Sequence, residues 1–193
     1  MKIHKHHVED ANNYYDKFKQ KYKFVDDGWY SAVYENKDPH SVIKVVCDKG
    51  YLIYLKRAIL NHDNIHFPKI YEIVDIMEKD KYNFSLVVME KLLKNPNENI
   101  RNRNTDKIIN VAFRKLKKSS TLLFDKNYPY SFNNFIKIMK MLKDEDKMLR
   151  NDFNLRSNHN VMFRKNNDLV VIDPFTYKGG QYKYNHFGYG EKF

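Results

Sequence analysis

Cysteine is almost missing from this chain: Cys47 stands alone among 193 residues, so no intramolecular disulfide can form. No apolar run is long enough to cross a bilayer and no signal-peptide pattern is present, so a soluble, cytoplasmic protein without membrane partners is expected. Glycine is sparse at six residues, and neither a lysine-bearing phosphate loop nor a dinucleotide fingerprint nor a Cys-Cys zinc pair occurs. Acidic residues are outnumbered, with 24 Asp and Glu against 35 Lys and Arg. The resulting formal charge of +11 excludes little, but it favours phosphate-bearing or acidic partners. What the chain does have is apolar and aromatic substance, 42% hydrophobic and 15% aromatic, enough for one sizeable core or two small lobes in contact.

Periodicity divides the chain into a strand-rich first half and a more helical second half. Residues 1–20 read as a short helix or ordered arm, with Tyr14, Tyr15 and Phe18 near helical spacing. From Lys21 to Cys47, β-branched and aromatic runs around the turn NKDPH predict three antiparallel strands. Then Leu52, Leu55 and Ile59 form one stripe with Tyr51, Tyr54 and Ala58 beside it, a helix that Asp48 can cap. IYEIVDIME and NFSLVVMEKL predict two further strands about the turn KDKY. A polar, basic linker follows, then helices over DKIINVAFRKLKK and SFNNFIKIMKML. The segment NLRSNHNVMFRKNNDLVVIDPF reads as a hairpin, and the tail TYKGGQYKYNHFGYGEKF as irregular structure.

Two stretches carry chemistry. In DDGWYSAVYEN…SVIKVV, a glycine turn between strands offers backbone N–H groups to an anion, and Lys44 on the following strand offers a fixed positive charge. The same residues also make an ordinary hairpin with a solvent-facing lysine. In the late hairpin, Asn160 and Asp173 supply hard oxygen donors at one edge, suited to Mg²⁺. A turn asparagine and a strand-ending Asp-Pro would look no different. His4, His6 and His7 lack nearby Cys or acidic ligands and read as solvated; His62 and His66 read as loop residues; Cys47 reads as core.

The order of these parts resembles the protein-kinase-like superfamily from Asp26 to Phe175, and in detail the small divergent serine/threonine kinase-like proteins encoded by bacteriophages. The resemblance implies an α+β, two-lobed fold: an antiparallel N-terminal sheet plus one helix over residues 21–92, and a reduced, mostly helical C-terminal lobe over 93–193. It implies that Gly28 and Ser31 lie in the phosphate-covering loop and that Lys44 contacts the α- and β-phosphates of ATP. Glu90 would mark the hinge whose backbone meets adenine, and Asn160 and Asp173 would hold Mg²⁺. Departures are equally specific. Five residues before Asn160, where kinases place a catalytic Asp, stands Leu155, between Asn154 and Arg156; Asp152, eight residues upstream, is the carboxylate expected to orient the attacking hydroxyl. The helix after Lys44 offers Tyr51 and Tyr54 where a glutamate would pair with the lysine, with Asp48, Asp63 or Glu72 as substitutes.

Three functions follow. The first is an ATP- and Mg²⁺-dependent phosphotransferase acting on host (bacterial) proteins in the host cytoplasm. The second is a pseudokinase-like binding module that occupies a host enzyme or defence protein. The third is a nucleic-acid binder using the basic surface and abundant tyrosines, motivated by IRNRN and FRKLKK.

Overall fold

The computed structural model describes residues 2–28, 31–93, 129–151, 161–166 and 168–177. Expectations for the linker, the helix over DKIINVAFRKLKK, the tail beyond residue 177, and Asp152, Asn154, Leu155 and Asn160 lie outside them. The fold is α+β. A six-stranded sheet is built from β1 (Lys2–Val8), β2 (Phe24–Gly28), β3 (Ser31–Glu35), β4 (Ser41–Val46), β5 (Ile70–Glu78) and β6 (Lys81–Glu90). Their spatial order is β1-β5-β6-β4-β3-β2. The described helices are α1 (Ala11–Lys21), α2 (Lys49–Leu60) and α3 (Tyr130–Glu145). Among the described residues of the second half there are four short strands: β7 (Leu149–Asn151) pairs with β10 (Phe175–Tyr177), and β8 (Val161–Phe163) pairs with β9 (Leu169–Val171).

Residues 1–20 are more than an arm. β1 adds to the sheet edge in parallel with β5, so the sheet is mixed and not wholly antiparallel. KIHKHHV has no apolar alternation and its side chains are mostly exposed, so it is held by the backbone ladder. Helix α1 follows, capped by Asp10, whose carboxylate accepts from the Asn12 and Asn13 N–H groups. Its Ala11, Tyr15 and Phe18, spaced by four and three, share one face and pack on the sheet.

Strand alternation sorts the sheet into two cores. On one face Ala32, Tyr34, Ile43, Val45, Phe84 and Leu86 meet α1, where the Tyr15 and Tyr34 hydroxyls lie 2.7 Å apart. On the other face Val46, Val87, Met89 and Ile73 meet Tyr51, Leu52, Tyr54, Leu55 and Ala58 of α2, and the same cluster continues into Phe132, Phe135, Ile136, Met139 and Leu142 of α3 and Val171 and Phe175. The second half therefore shares its apolar core with the sheet by way of α2. Arg57 of α2 and Glu145 of α3 pair at the rim of this contact. Among the described residues no helix is long and apolar enough to cross a membrane.

Candidate nucleotide site around Lys44

Period-two alternation puts Ile43 and Val45 toward α1, which turns Lys44, with Val42 and Val46, toward α2. Its cross-strand neighbours are Val33 on β3 and Val87 on β6. The side chain is 8% exposed, so the solvent-facing alternative is overturned. Its ammonium sits 4.1 Å from the centroid of the Tyr51 ring, a cation–π contact. Burial lowers the Lys44 pKa, opposed by the carboxylates of Asp173, Asp26 and Asp48, in that order of strength. Asp26 reaches this neighbourhood by register, since it pairs with Val33, which pairs with Lys44. Asp48 reaches it as the cap of α2, accepting the Tyr51 N–H at 2.9 Å. Of the substitutes for a helix glutamate, Asp48 alone belongs to the Lys44 surroundings; Asp63 is exposed beside His62, and Glu72 faces His4.

Asp173 lies two residues beyond β9, and several anchors bring that strand end to α2. The Tyr54 hydroxyl donates to the Val171 carbonyl, and the Val171 N–H donates to the His66 carbonyl at 3.0 Å. After Asp173, Phe175 is fully buried in the shared core, and Lys49 of α2 hydrogen-bonds the Tyr177 hydroxyl at 3.1 Å. Tyr54 thus holds β9 while Tyr51 holds Lys44, from one face of one helix. The hairpin forms as expected, with Val161 opposite Val171 and Phe163 opposite Leu169. Gly28 pairs with Ser31 at the end of the β2–β3 hairpin, and Ser31 is buried opposite Val46.

Glu90 has a structural task that sequence reasoning missed. Arg164, in the turn after β8, donates from Nη2 and Nε to its two carboxylate oxygens at 2.6 and 2.9 Å, and from Nη2 to the Phe67 carbonyl at 2.9 Å. Glu90 also accepts the Lys69 N–H at 2.8 Å, and its own N–H donates to the Lys69 carbonyl at 3.0 Å. This pair clamps the β8–β9 hairpin to the end of β6, reinforced by the mutual backbone bonds of Leu93 and Phe163.

His66 makes a second joint, with Nδ1 2.9 Å from the Leu169 carbonyl and Nε2 3.2 Å from the Ser131 hydroxyl. The geometry fits a neutral ring, Nδ1–H donating and Nε2 accepting. Burial lowers its pKa below the ordinary 6.5, with the Arg164 charge acting in the same direction. The neutral form is therefore favoured by folding; its contribution is intact above about pH 6.5 and is lost as pH falls through the folded value. Urea denaturation of wild type between pH 7.5 and 5 is expected to show a steeper loss than His66→Gln; equal slopes would assign the loss elsewhere.

Cys47 is buried, its thiol pushed up to about 12 by burial and by Asp48, which makes it a core residue and a poor nucleophile. His4, His6 and His7 lie on exposed β1, where, against the expectation of no acidic neighbours, Glu72 comes within 3.8 Å of His4 and Asp80 within 3.5 Å of His7; among the described residues no group of three or more His, Cys, Asp and Glu is arranged to hold a metal.

No protein-family model matches the chain, and no curated protein sequence matches it. Among solved structures it is similar to the kinase PK-1 of Cydia pomonella granulovirus, with a TM-score of 0.40 and 19% identity over 83% of this chain. The match spans 56% of the length of that kinase.

Proposed function

We propose that this chain is an ATP- and Mg²⁺-dependent phosphotransferase of reduced kinase-like architecture, acting on serine or threonine hydroxyls of proteins. The observation that carries the reading is that Lys44, buried on a central strand, lies within electrostatic reach of Asp173 in the distant Asp-Pro-Phe segment. A strand lysine for the phosphates and a late carboxylate for the metal are the two charged parts that phosphoryl transfer of this class brings together. The residues present fit such a ligand. Asp173 is a hard oxygen donor within electrostatic reach of a buried ammonium, and the Tyr51 hydroxyl is a buried polar atom with no partner among the described residues.

In this reading Lys44 neutralises phosphate charge, Asp173 and Asn160 hold Mg²⁺, and Asp152 orients the attacking hydroxyl. Bound Mg²⁺ supplies charge neutralisation on the transferring phosphoryl group. The β2–β3 turn at Gly28 and Ser31 covers the phosphates. The Glu90, Lys91 and Leu93 N–H groups are committed to the Lys69, His40 and Phe163 carbonyls, so these three donors are not open to adenine, and the Glu90 hinge stands as an expectation of the resemblance. The resemblance to phage-encoded kinase-like proteins makes bacterial proteins the expected substrates.

A second reading, a binding module that keeps the site without transfer, is favoured by the tyrosines on α2 where a carboxylate is expected. Transfer of labelled γ-phosphate from ATP to bacterial lysate separates the two. The enzyme reading expects labelled protein with wild type. If wild type is silent and Asn154→Asp creates transfer, the chain is a kinase-like fold that has lost its acid.

A further inference from the structure

Kinases hold the strand lysine with a carboxylate from the following helix. Helix α2 has no acidic residue in its first turn, and the group it brings to Lys44 is the ring of Tyr51. Tyr51 is 1% exposed, and among the described residues its hydroxyl finds no hydrogen-bond partner. Buried hydroxyls are nearly always paired, so an orphan calls for an explanation. Loose packing does not supply one: Tyr54, three residues on, is equally buried and gives its hydroxyl to Val171. The Asp173 carboxylate, the residue assigned to the metal, acts electrostatically on the Tyr51 hydroxyl, so the two belong to one neighbourhood. Burial and that carboxylate both keep it protonated, which leaves it a donor.

We propose that Tyr51 replaces the helix carboxylate as a ligand-binding residue: its ring fixes the Lys44 ammonium, and its hydroxyl donates to a phosphate oxygen of the bound nucleotide. The substitution has a physical advantage. A carboxylate fixes a lysine but spends part of its positive charge and repels phosphate. A ring face fixes it through the quadrupole and leaves the full charge for the ligand. The inference rests on the nucleotide-site reading above and adds a residue for which the kinase pattern has no counterpart.

The test is a titration of the full chain with ATP in Mg²⁺, for wild type, Tyr51→Phe and Tyr51→Leu, alongside melting temperatures without nucleotide. Tyr51→Phe keeps the ring and removes an unpaired buried hydroxyl, so it is expected to melt at or above the wild-type temperature. It is also expected to bind ATP about 10- to 100-fold more weakly, the loss of one hydrogen bond to a charged group. Tyr51→Leu, lacking ring and hydroxyl, is expected to bind more weakly still. Wild-type affinity in Tyr51→Phe would overturn the phosphate contact, as would a lowered melting temperature with unchanged affinity, which marks a purely structural tyrosine. Equal affinities in the two variants would overturn the role of the ring. Failure of wild type itself to bind ATP would overturn the nucleotide reading, a result the wild-type arm reports by itself.

Discussion

Asp173→Asn is expected to abolish γ-phosphate transfer while the protein stays folded. Asp173 is half-buried within electrostatic reach of the buried Lys44 ammonium, and in the proposed site its carboxylate is the charged protein ligand of Mg²⁺. Removing a preorganised charge from a phosphoryl-transfer site costs at least about 10²-fold in rate. Lys44→Met gives the complementary result. It removes the buried cation that offsets the Asp173, Asp26 and Asp48 carboxylates, so the melting temperature is expected to fall while transfer disappears. Transfer assays paired with thermal melts check both variants. Near-wild-type transfer in folded Asp173→Asn would remove Asp173 from the chemistry.

Arg164→Ala should produce the largest loss of stability of any single substitution considered for this protein. The Arg164 and Glu90 side chains are only 14% and 10% exposed, and their bond is bidentate. Truncating the arginine leaves a buried carboxylate uncompensated and frees the Phe67 carbonyl, which costs on the order of 3–5 kcal/mol. Against a typical total of about 5–15 kcal/mol, such a loss brings the fold close to its limit. The double variant Glu90→Leu/Arg164→Leu is expected to recover much of it, because the penalty lies in the unpaired charge. Denaturant midpoints measure both, and a loss below about 1 kcal/mol for Arg164→Ala would mean the pair behaves as a surface bridge.

Elements that bury one face declared themselves in the sequence. SVIKVV and NFSLVVME are runs rich in β-branched and apolar residues, largely buried as strands, Asp48 caps α2, and Phe132, Phe135, Ile136, Met139 and Leu142 recur at helical spacing and are all buried in α3. β1 was illegible because its pairing is made by backbone groups on a sheet edge, which side-chain pattern does not encode. The β7–β10 pair was missed for a different reason: three residues on each side are too few to show a period, and their partnership depends on where the hairpin docks.

Part of the site could be read as well. Lys44 among valines and the Asp-Pro-Phe after the hairpin were visible as residues, whereas their meeting depends on Tyr54, His66 and Phe175, each supplied by tertiary packing. Arg164 sat in a charged turn, FRKNND, where solvation is the ordinary expectation; its burial follows from the docking of the hairpin on β6. Tyr51 showed only as a missing carboxylate. That its ring takes up the lysine follows from the position of α2 against the sheet, which no local pattern encodes.

The central claim is that Lys44 and Asp173 form one Mg²⁺-nucleotide site, and calorimetric titration with ATP tests it most directly. Saturable binding of ATP in Mg²⁺ is expected for wild type, weakened in EDTA and lost in both Lys44→Met and Asp173→Asn. Absence of binding by folded wild type, or equal affinity in all three proteins, would contradict the site.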